Sequence, residues 1–195
     1  MTAATLCIDI QTTWHPGTGR GSGFHLDAVT HQGADGLPGL PGRHLKGLLR
    51  DALLRAETWG WPDVPKGSTE ALFGADGRDR RDTRPGLLRV SDGTLTADIA
   101  AYLATADGAK LVPGLYREHY STAIDQKSGV AKERSLRGMG LIVPLTLKAT
   151  IEEIPGMPPI PDWRQRLAAV FPLVSAVGAH RTRGFGRAVI GWQGA

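Results

Sequence analysis

A glycine-rich basic segment near the C-terminus has the residue types that hold a phosphate group. It places His180, Arg181, Arg183 and Arg187 around Gly184 and Gly186, in the order Gly178-Ala179-His180-Arg181-Thr182-Arg183-Gly184-Phe185-Gly186-Arg187. Glycine lets a backbone approach a phosphate closely, and the arginine guanidinium offers it two parallel donors. The segment lacks the Gly-Lys-[Ser/Thr] of a Walker loop and is no dinucleotide fingerprint. We predict a phosphate-binding loop, although a helix that ends at Gly178 would also require glycine there.

A second cationic surface is predicted at the start of the first helix. A turn rich in glycine and proline, residues 36–42, precedes residues 43–56, whose apolar side chains recur at the spacing of one helical face. Arg43 lies in the first turn, and Lys46 and Arg50 lie one turn apart on a face that is not apolar. The pattern predicts a buried helix that presents cations beside the turn. Taken alone, it is equally typical of any loop that enters an amphipathic helix.

The segment from residue 14 to residue 42 contains the side chains that could catalyse a reaction. It has no clean hydrophobic periodicity, and loops of this length in a compact domain are usually functional or disordered. His15, His25, Asp27 and His31 lie in it, at spacings that match no compact zinc-ligand pattern. Asp35 stands in an Asp-Gly turn and so has a structural reason for its position.

Composition favours a polyanionic partner. The chain of 195 residues has a formal net charge of +4, and after Asp162 it has no acidic residue but five arginines. A segment with only positive charge favours a partner such as nucleic acid. The single cysteine, Cys7, excludes an internal disulfide and suits a reducing compartment. No apolar run approaches the roughly 18 residues of a membrane span, so we expect a cytoplasmic protein without a membrane partner.

The order of predicted elements indicates the fold class. Alternating or apolar runs predict strands at 5–13, 87–90, 139–154 and 188–192, and helical patterns predict helices at 43–56, 97–106 and 162–177, the last capped by Asp162 and interrupted at Pro172. Residues 113–137 are polar around an Asp-Gln-Lys-Ser-Gly turn and predict a hairpin. The order is that of a split βαβ unit. We therefore predict one domain over residues 1–195, of α+β class, with a ferredoxin-like fold similar to an RNA recognition motif.

Several of these segments together resemble one known family. The matching motifs are Gly-Leu-Pro-x-x-Pro-Gly-x-x-Leu-Lys-Gly-x-x-Arg from Gly36 to Arg50, Leu72-Phe73-Gly74, Thr-Ala-Ile-Asp-x-Lys-x-Gly-x-Ala from Thr122 to Ala131, and the glycine loop at 178–187. They resemble the RAMP superfamily, the repeat-associated proteins of CRISPR effector complexes, and most of all the backbone subunit of type III complexes. His44 departs from the pattern, because this position usually holds a small polar residue.

The resemblance implies a subunit that polymerises along CRISPR guide RNA and contacts complementary target RNA, other RAMP subunits and further copies of itself. The hairpin at about 113–137 is similar to the family's protruding thumb, which lies across the guide-target duplex. RNA contacts are implied at Arg43, Lys46 and Arg50 of the helix, Lys127 and Lys132 of the thumb, and His180, Arg181, Arg183, Gly184, Gly186 and Arg187 of the glycine loop.

The resemblance also implies an endoribonuclease that cleaves the target RNA. Asp27 is the acidic residue best placed to match the family's catalytic aspartate, which stands in this loop before the Pro-Gly turn. The roles of general base and of ligand to a divalent cation both stay open for Asp27; the resemblance implies a metal-dependent reaction, with Mg²⁺ as the expected cation.

Two alternatives stay open at this point. A structural RAMP subunit without nuclease activity would keep the basic helix and the glycine loop and make Asp27 irrelevant. A RAMP endonuclease that processes guide RNA would instead cut free repeat RNA with a histidine such as His15 or His31, without a metal.

Overall fold

The computed structural model describes residues 3–21, 26–75 and 83–194. Its strands are β1 (Ala3–Ile10), β2 (Leu88–Val90), β3 (Tyr116–Ser121), β4 (Arg137–Ile142), β5 (Leu145–Glu153) and β6 (Ala188–Trp192). Its α-helices are α1 (Gly42–Thr58), α2 (Ser68–Phe73), α3 (Ala97–Leu103) and α4 (Trp163–Val170), with 3₁₀ turns at Gly108–Leu115, Phe171–Leu173 and Arg181–Arg183.

The main sheet is ferredoxin-like, as predicted. Its four antiparallel strands lie in the order β2-β5-β1-β6, and α1 and α4 form the connections of the two βαβ units. Strand β1 runs through the centre, where Ile8 pairs with Leu147 on one side and with Ile190 on the other. Because side chains alternate along a strand, all three residues lie on one face and are buried there.

Helix α1 covers this face with the stripe that its sequence predicts. Leu45, Leu49 and Leu53 have no exposed surface, and the rest of the stripe is buried too. They pack with apolar residues of β1, β5 and α4 in one continuous core. The helix therefore has a fixed orientation, and its first turn has a fixed position relative to the sheet.

The strand predicted over residues 139–154 is divided in the structure. Residues 137–142 form β4 and residues 145–153 form β5, with Val143 and Pro144 between them. Proline has no backbone N–H and is disfavoured inside a ladder, so the change of sheet occurs at Pro144. Strand β5 joins the main sheet, whereas β4 pairs with β3 in a separate antiparallel sheet.

The predicted hairpin is formed by this second sheet. Its register runs from Tyr116 opposite Ile142 to Ser121 opposite Arg137, and residues 122–136 connect the two strands. At the tip, Asp125 Oδ1 accepts hydrogen bonds from the backbone N–H groups of residues 127 and 128, at 3.0 and 2.9 Å. The polar turn that the sequence predicts is therefore present, with its flanks paired.

The predicted cap of the last helix needs a correction. Asp162 occupies the N-cap position of α4, but its side chain makes no capping hydrogen bond. It accepts instead from Arg166 Nε at 2.9 Å, one turn along the helix. None of the helices in the described part of the chain is long and apolar enough to span a lipid bilayer.

Candidate nucleic-acid interface

The loop that follows β1 is attached to the second sheet by backbone hydrogen bonds. Trp14 N–H donates to the carbonyl of Ile142 at 3.0 Å, Asp27 N–H donates to the carbonyl of Gly138 at 2.9 Å, and Gly140 N–H donates to Ala28 at 2.9 Å. The described part of this loop lacks helix and strand, yet these bonds fix its path. Its polar side chains are thereby held along the edge of β4.

The two predicted cationic turns meet at one cleft of about 740 Å³. The loop after β1, the first turn of α1 and the glycine loop each contribute to its walls. The ionisable side chains among the lining residues are His15, Arg20, Asp27, Arg43, His44 and His180. Asp27 is the single carboxylate in this lining, so the described part of the cleft has an excess of positive charge.

His44 joins the two turns directly. The backbone N–H of Gly178 donates a hydrogen bond to His44 Nε2 at 3.0 Å. A nitrogen that accepts a hydrogen bond carries no proton, so this imidazole is neutral and is protonated on Nδ1. Burial, and then the positive charge of Arg181, lower the pKa of His44 and favour this neutral form. The one departure from the family motif thus forms the link between the helix and the glycine loop.

Gly184 and Gly186 of the basic loop are glycines for different structural reasons. Gly186 is buried, has φ of +70° and donates its N–H to the carbonyl of Thr13 at 2.9 Å, and a Cβ there would collide with the Val177 carbonyl. Gly184 also has positive φ, +84°, but open space around it. The N–H of Gly186 is already used within the protein, so that donor is not open to a phosphate, and the RNA contacts at Gly184 and Gly186 stay predictions.

Asp27 lies where the cleft meets a second groove. Its side chain is exposed, and Oδ2 accepts a hydrogen bond from Gly138 N–H at 2.8 Å. Since Asp27 N–H donates to the carbonyl of the same residue, two hydrogen bonds to Gly138 hold its backbone and its carboxylate. Oδ1 makes no hydrogen bond with the described residues, so it is the oxygen that could accept a ligand.

His15 is the buried histidine of the cleft. It is only 3% exposed, and its Nδ1 lies 2.7 Å from the Gly140 carbonyl oxygen, so Nδ1 carries the proton. Burial lowers its pKa, the bond to Gly140 opposes that shift, and the nearby His180 adds to it. His15 is thus a neutral imidazole whose Nε2 has an available lone pair. His31 does not line the cleft, and His25 lies outside the described residues.

The other predicted RNA contacts are distributed around this centre. Arg43, Lys46 and Arg50 line a shallow groove of about 410 Å³ along α1, where Arg84 also lies. Arg183 lines the second groove beside Asp27. Four further residues are exposed and line neither the cleft nor these grooves: Lys127, Lys132, Arg181 and Arg187.

Sequence reasoning missed four residues of these surfaces. Arg20 lines the cleft, Arg84 lines the groove along α1, and His119 and Phe185 line the groove beside Asp27. Arg20 and Phe185 lie inside segments that the sequence marks as functional, so their positions offered a signal. His119 lies inside the predicted hairpin, but only the pairing of β3 with β4 brings it to the groove that Asp27 also lines.

The described residues include no group of three or more side chains that could hold a metal ion by themselves. Mg²⁺, however, is commonly bound by one or two carboxylates together with substrate phosphates and water. The accessible Asp27 carboxylate fits that mode, in which an RNA phosphate supplies the further ligands. The donor set is therefore compatible with a cation shared between protein and RNA.

The chain is similar to known proteins in its family motifs and in its fold. The family model described as the RAMP superfamily matches residues 7–189. A chain in the cryo-EM structure of the Type III-B Cmr-beta bound to cognate target RNA superposes with a TM-score of 0.74 at 10% identity, over 98% of this chain and 97% of that one. A chain of the apo-state Cmr-beta structure gives a TM-score of 0.69 at 11% identity, with the same two coverages. At these identities the likeness establishes a shared fold. Comparison with curated proteins gives no match.

Proposed function

The chain belongs to the RAMP superfamily, and from this we propose that it is a backbone subunit of a type III CRISPR ribonucleoprotein that binds guide RNA. One observation carries the proposal: two cationic turns far apart in the sequence meet in one cleft and are joined by the bond between His44 and Gly178. The two Cmr-beta structures with the same fold, one of them bound to target RNA, support the assignment to such a complex.

The cleft suits the sugar-phosphate backbone better than it suits base edges. Arg20, Arg43 and His180 are exposed cleft residues that can donate to phosphate oxygens. Contacts of this kind position a strand without reading its sequence, which in a guide complex is read by base pairing. The whole chain would act as one RAMP domain, with the complementary target RNA paired to the bound guide.

The exposed hairpin is the proposed contact with the paired target RNA and with neighbouring subunits. Three apolar side chains of its connecting segment are largely exposed, Ile124 by 60%, Val130 by 62% and Leu136 by 65%. We propose that these apolar side chains become covered when the hairpin meets its partner. Lys127 and Lys132 of the same segment would contact RNA phosphates, and the partners would be other RAMP subunits, including copies of this chain.

For the chemistry, we propose that Asp27 takes part in cleavage of the target RNA. Gly138 fixes one oxygen of its carboxylate, and the other oxygen is accessible at the junction of the cleft and the second groove. A divalent cation bound there, expected to be Mg²⁺, would supply a Lewis acid to the phosphodiester. The contribution of the chain is to hold the ligand oxygen in place and the strand beside it.

The test uses the chain assembled with its partner subunits and a guide RNA. Co-purified RNA of uniform, repeat-derived length is expected with the wild type. Asp27→Asn should leave the RNA content unchanged and reduce Mg²⁺-dependent cleavage of guide-matched RNA by at least about 10- to 100-fold, the loss that a change in the outer shell of a metal site already causes. Full cleavage by the variant would refute the catalytic role and leave a structural subunit. An assembly free of RNA would refute the binding role.

A second candidate function rests on His15. This imidazole is neutral, is oriented by Gly140 and lines the same cleft, which are the properties of a general base at neutral pH. It would take the proton of a ribose 2′-hydroxyl in metal-independent processing of guide RNA. Incubation of the isolated chain with hairpin repeat RNA in the presence of EDTA distinguishes guide-RNA processing from metal-dependent target cleavage. Cleavage there that His15→Ala abolishes and Asp27→Asn spares would favour processing over target cleavage.

A further inference from the structure

A groove of about 470 Å³ lies between the glycine loop and the β3–β4 sheet, next to the main cleft. It shares Asp27, Ala28 and His180 with the cleft, so the two form one continuous surface. We propose that this groove binds a nucleobase of an RNA strand whose phosphates lie in the cleft. The proposal rests on the proposed function and adds a base-binding site to it.

The chemical reason is an aromatic pair at the wall of the groove. The rings of His119, on β3, and Phe185, in the glycine loop, meet edge to face with centroids 5.5 Å apart and an interplanar angle of 70°. An edge-to-face pair uses one edge of one ring and one face of the other, so further ring faces can contact a third aromatic system. Every nucleobase offers such a face, and stacking on protein side chains accepts any base.

Both rings are held by the fold. Phe185 is half-buried between Gly184 and Gly186, and the N–H of Gly186 is bonded to the Thr13 carbonyl, which fixes the backbone beside the ring. His119 pairs with Met139 across the β3–β4 ladder, and Met139 adds an apolar contact to the groove. A preorganised surface of this kind binds a base at a lower entropic cost than a mobile side chain would.

The charged side chains of the groove could contact the phosphates and the sugar of a nucleotide as well as its base. Arg137 and Arg183 lie at the groove, where they can meet the phosphates that flank a base. Asp27 stands at the junction, beside the sugar of a nucleotide that spans both surfaces. The described lining of the main cleft contains no phenylalanine, tyrosine or tryptophan. The aromatic pair is thus confined to the groove, whereas cationic side chains line both adjoining surfaces.

The experiment compares the full-length chain and its variants on two RNAs. The first is a short single-stranded RNA with all its bases. The second is a series of RNAs of the same sequence, each of which lacks one base at a different position of the strand. Phe185→Leu and His119→Ala should each weaken binding of the complete RNA by about 5- to 100-fold, which corresponds to the loss of one stacked base. On the RNA whose abasic site occupies the groove, the same variants should cost less than 2-fold, because no base is left to stack.

Three controls separate this proposal from others. Phe185→Trp should retain the affinity, whereas Tyr120→Ala, on the opposite face of β3, should leave it unchanged. The dependence of binding on salt should stay constant in Phe185→Leu and flatten in Arg183→Gln, since only the arginine releases counterions. Equal losses on complete and abasic RNA at every position, or no loss at all, overturn the base site. Failure of the wild type to bind any RNA overturns the proposed function, and the base site with it.

Discussion

The hydrogen bond between Gly178 and His44 gives a stability prediction whose size follows from the structure. In His44→Ala the buried N–H of Gly178 loses the acceptor that it has in the wild type. An unpaired buried donor costs about 1–3 kcal/mol, so we expect the free energy of unfolding to fall by that amount. His44→Gln is the matched control, because the amide oxygen can accept the same bond, and it should stay within about 0.5 kcal/mol of the wild type.

The same bond gives the sign of a pH dependence. The pKa of His44 is lowered in the folded chain, so the unfolded chain binds more protons below its ordinary pKa of about 6.5. The contribution of His44 to the free energy of unfolding is therefore fully present above pH 6.5 and is lost as the pH falls. The slope is at most about 1.4 kcal/mol per pH unit for each such histidine. His15 is shifted in the same direction. Removal of one histidine should therefore weaken the slope without abolishing it.

Urea unfolding at several pH values between about 5 and 8, followed by circular dichroism, measures both effects. We expect His44→Ala to be less stable than the wild type at every pH above 7, whereas His44→Gln should differ from the wild type only below pH 7. If the alanine and glutamine variants have equal stability at pH 7.5, the bond does not hold the two turns together. If the wild type gains stability as the pH falls to 5.5, the sign of the linkage is wrong.

Other variants test the remaining contacts. In the same assay, Gly186→Ala should lower the free energy of unfolding by at least about 2 kcal/mol, because its Cβ meets the Val177 carbonyl and the residue has positive φ. Gly184→Ala has positive φ but open space around it, so it should lower the free energy of unfolding by only about 1 kcal/mol. Burial alone would raise the pKa of Glu57, but the hydrogen bonds that its carboxylate accepts at the start of α2 together outweigh burial and lower it. Glu57→Gln should therefore lower the free energy of unfolding by about 1 kcal/mol at pH 7. The difference should be smaller near pH 3, where the wild-type carboxylate is protonated and has lost the same contribution. If Arg43 contacts one RNA phosphate, Arg43→Gln should reduce the slope of log K against log salt by about 0.7 in filter binding.

The fold could be predicted where local periodicity and burial agree. The stripe of α1 and the alternation of β1 are visible in the sequence because each element has one apolar face, and both are buried as expected. The division of residues 139–154 into two strands was not predicted. The apolar alternation continues through Val143 and Leu145, and only the missing N–H of Pro144 indicates the change of sheet.

The sequence allowed the residue types of the candidate site to be predicted, but not the contacts between those residues. Glycines and arginines marked the loop at 178–187, yet the reason for Gly186 is the Val177 carbonyl, which is not apparent from the motif. His44 looked like a departure from the family pattern, whereas its bond to Gly178 spans 134 residues of sequence. The edge-to-face pair of His119 and Phe185 is similarly non-local. Contacts of this kind depend on the packing of whole elements, which no window of sequence contains.

One of these non-local contacts links the proposed chemistry to the hairpin. Gly138 belongs to β4, and it both accepts the N–H of Asp27 and donates to the Asp27 carboxylate. Strand β4 is also one side of the hairpin, so the position of Asp27 is determined by the element that carries the exposed residues 122–136. Because His15 Nδ1 also donates to Gly140 of this strand, a displacement of β4 carries Asp27 and His15 together and shifts both relative to Arg43, which belongs to α1. We propose that binding at the hairpin reaches Asp27 by this route, through the two hydrogen bonds that Gly138 of β4 makes with Asp27.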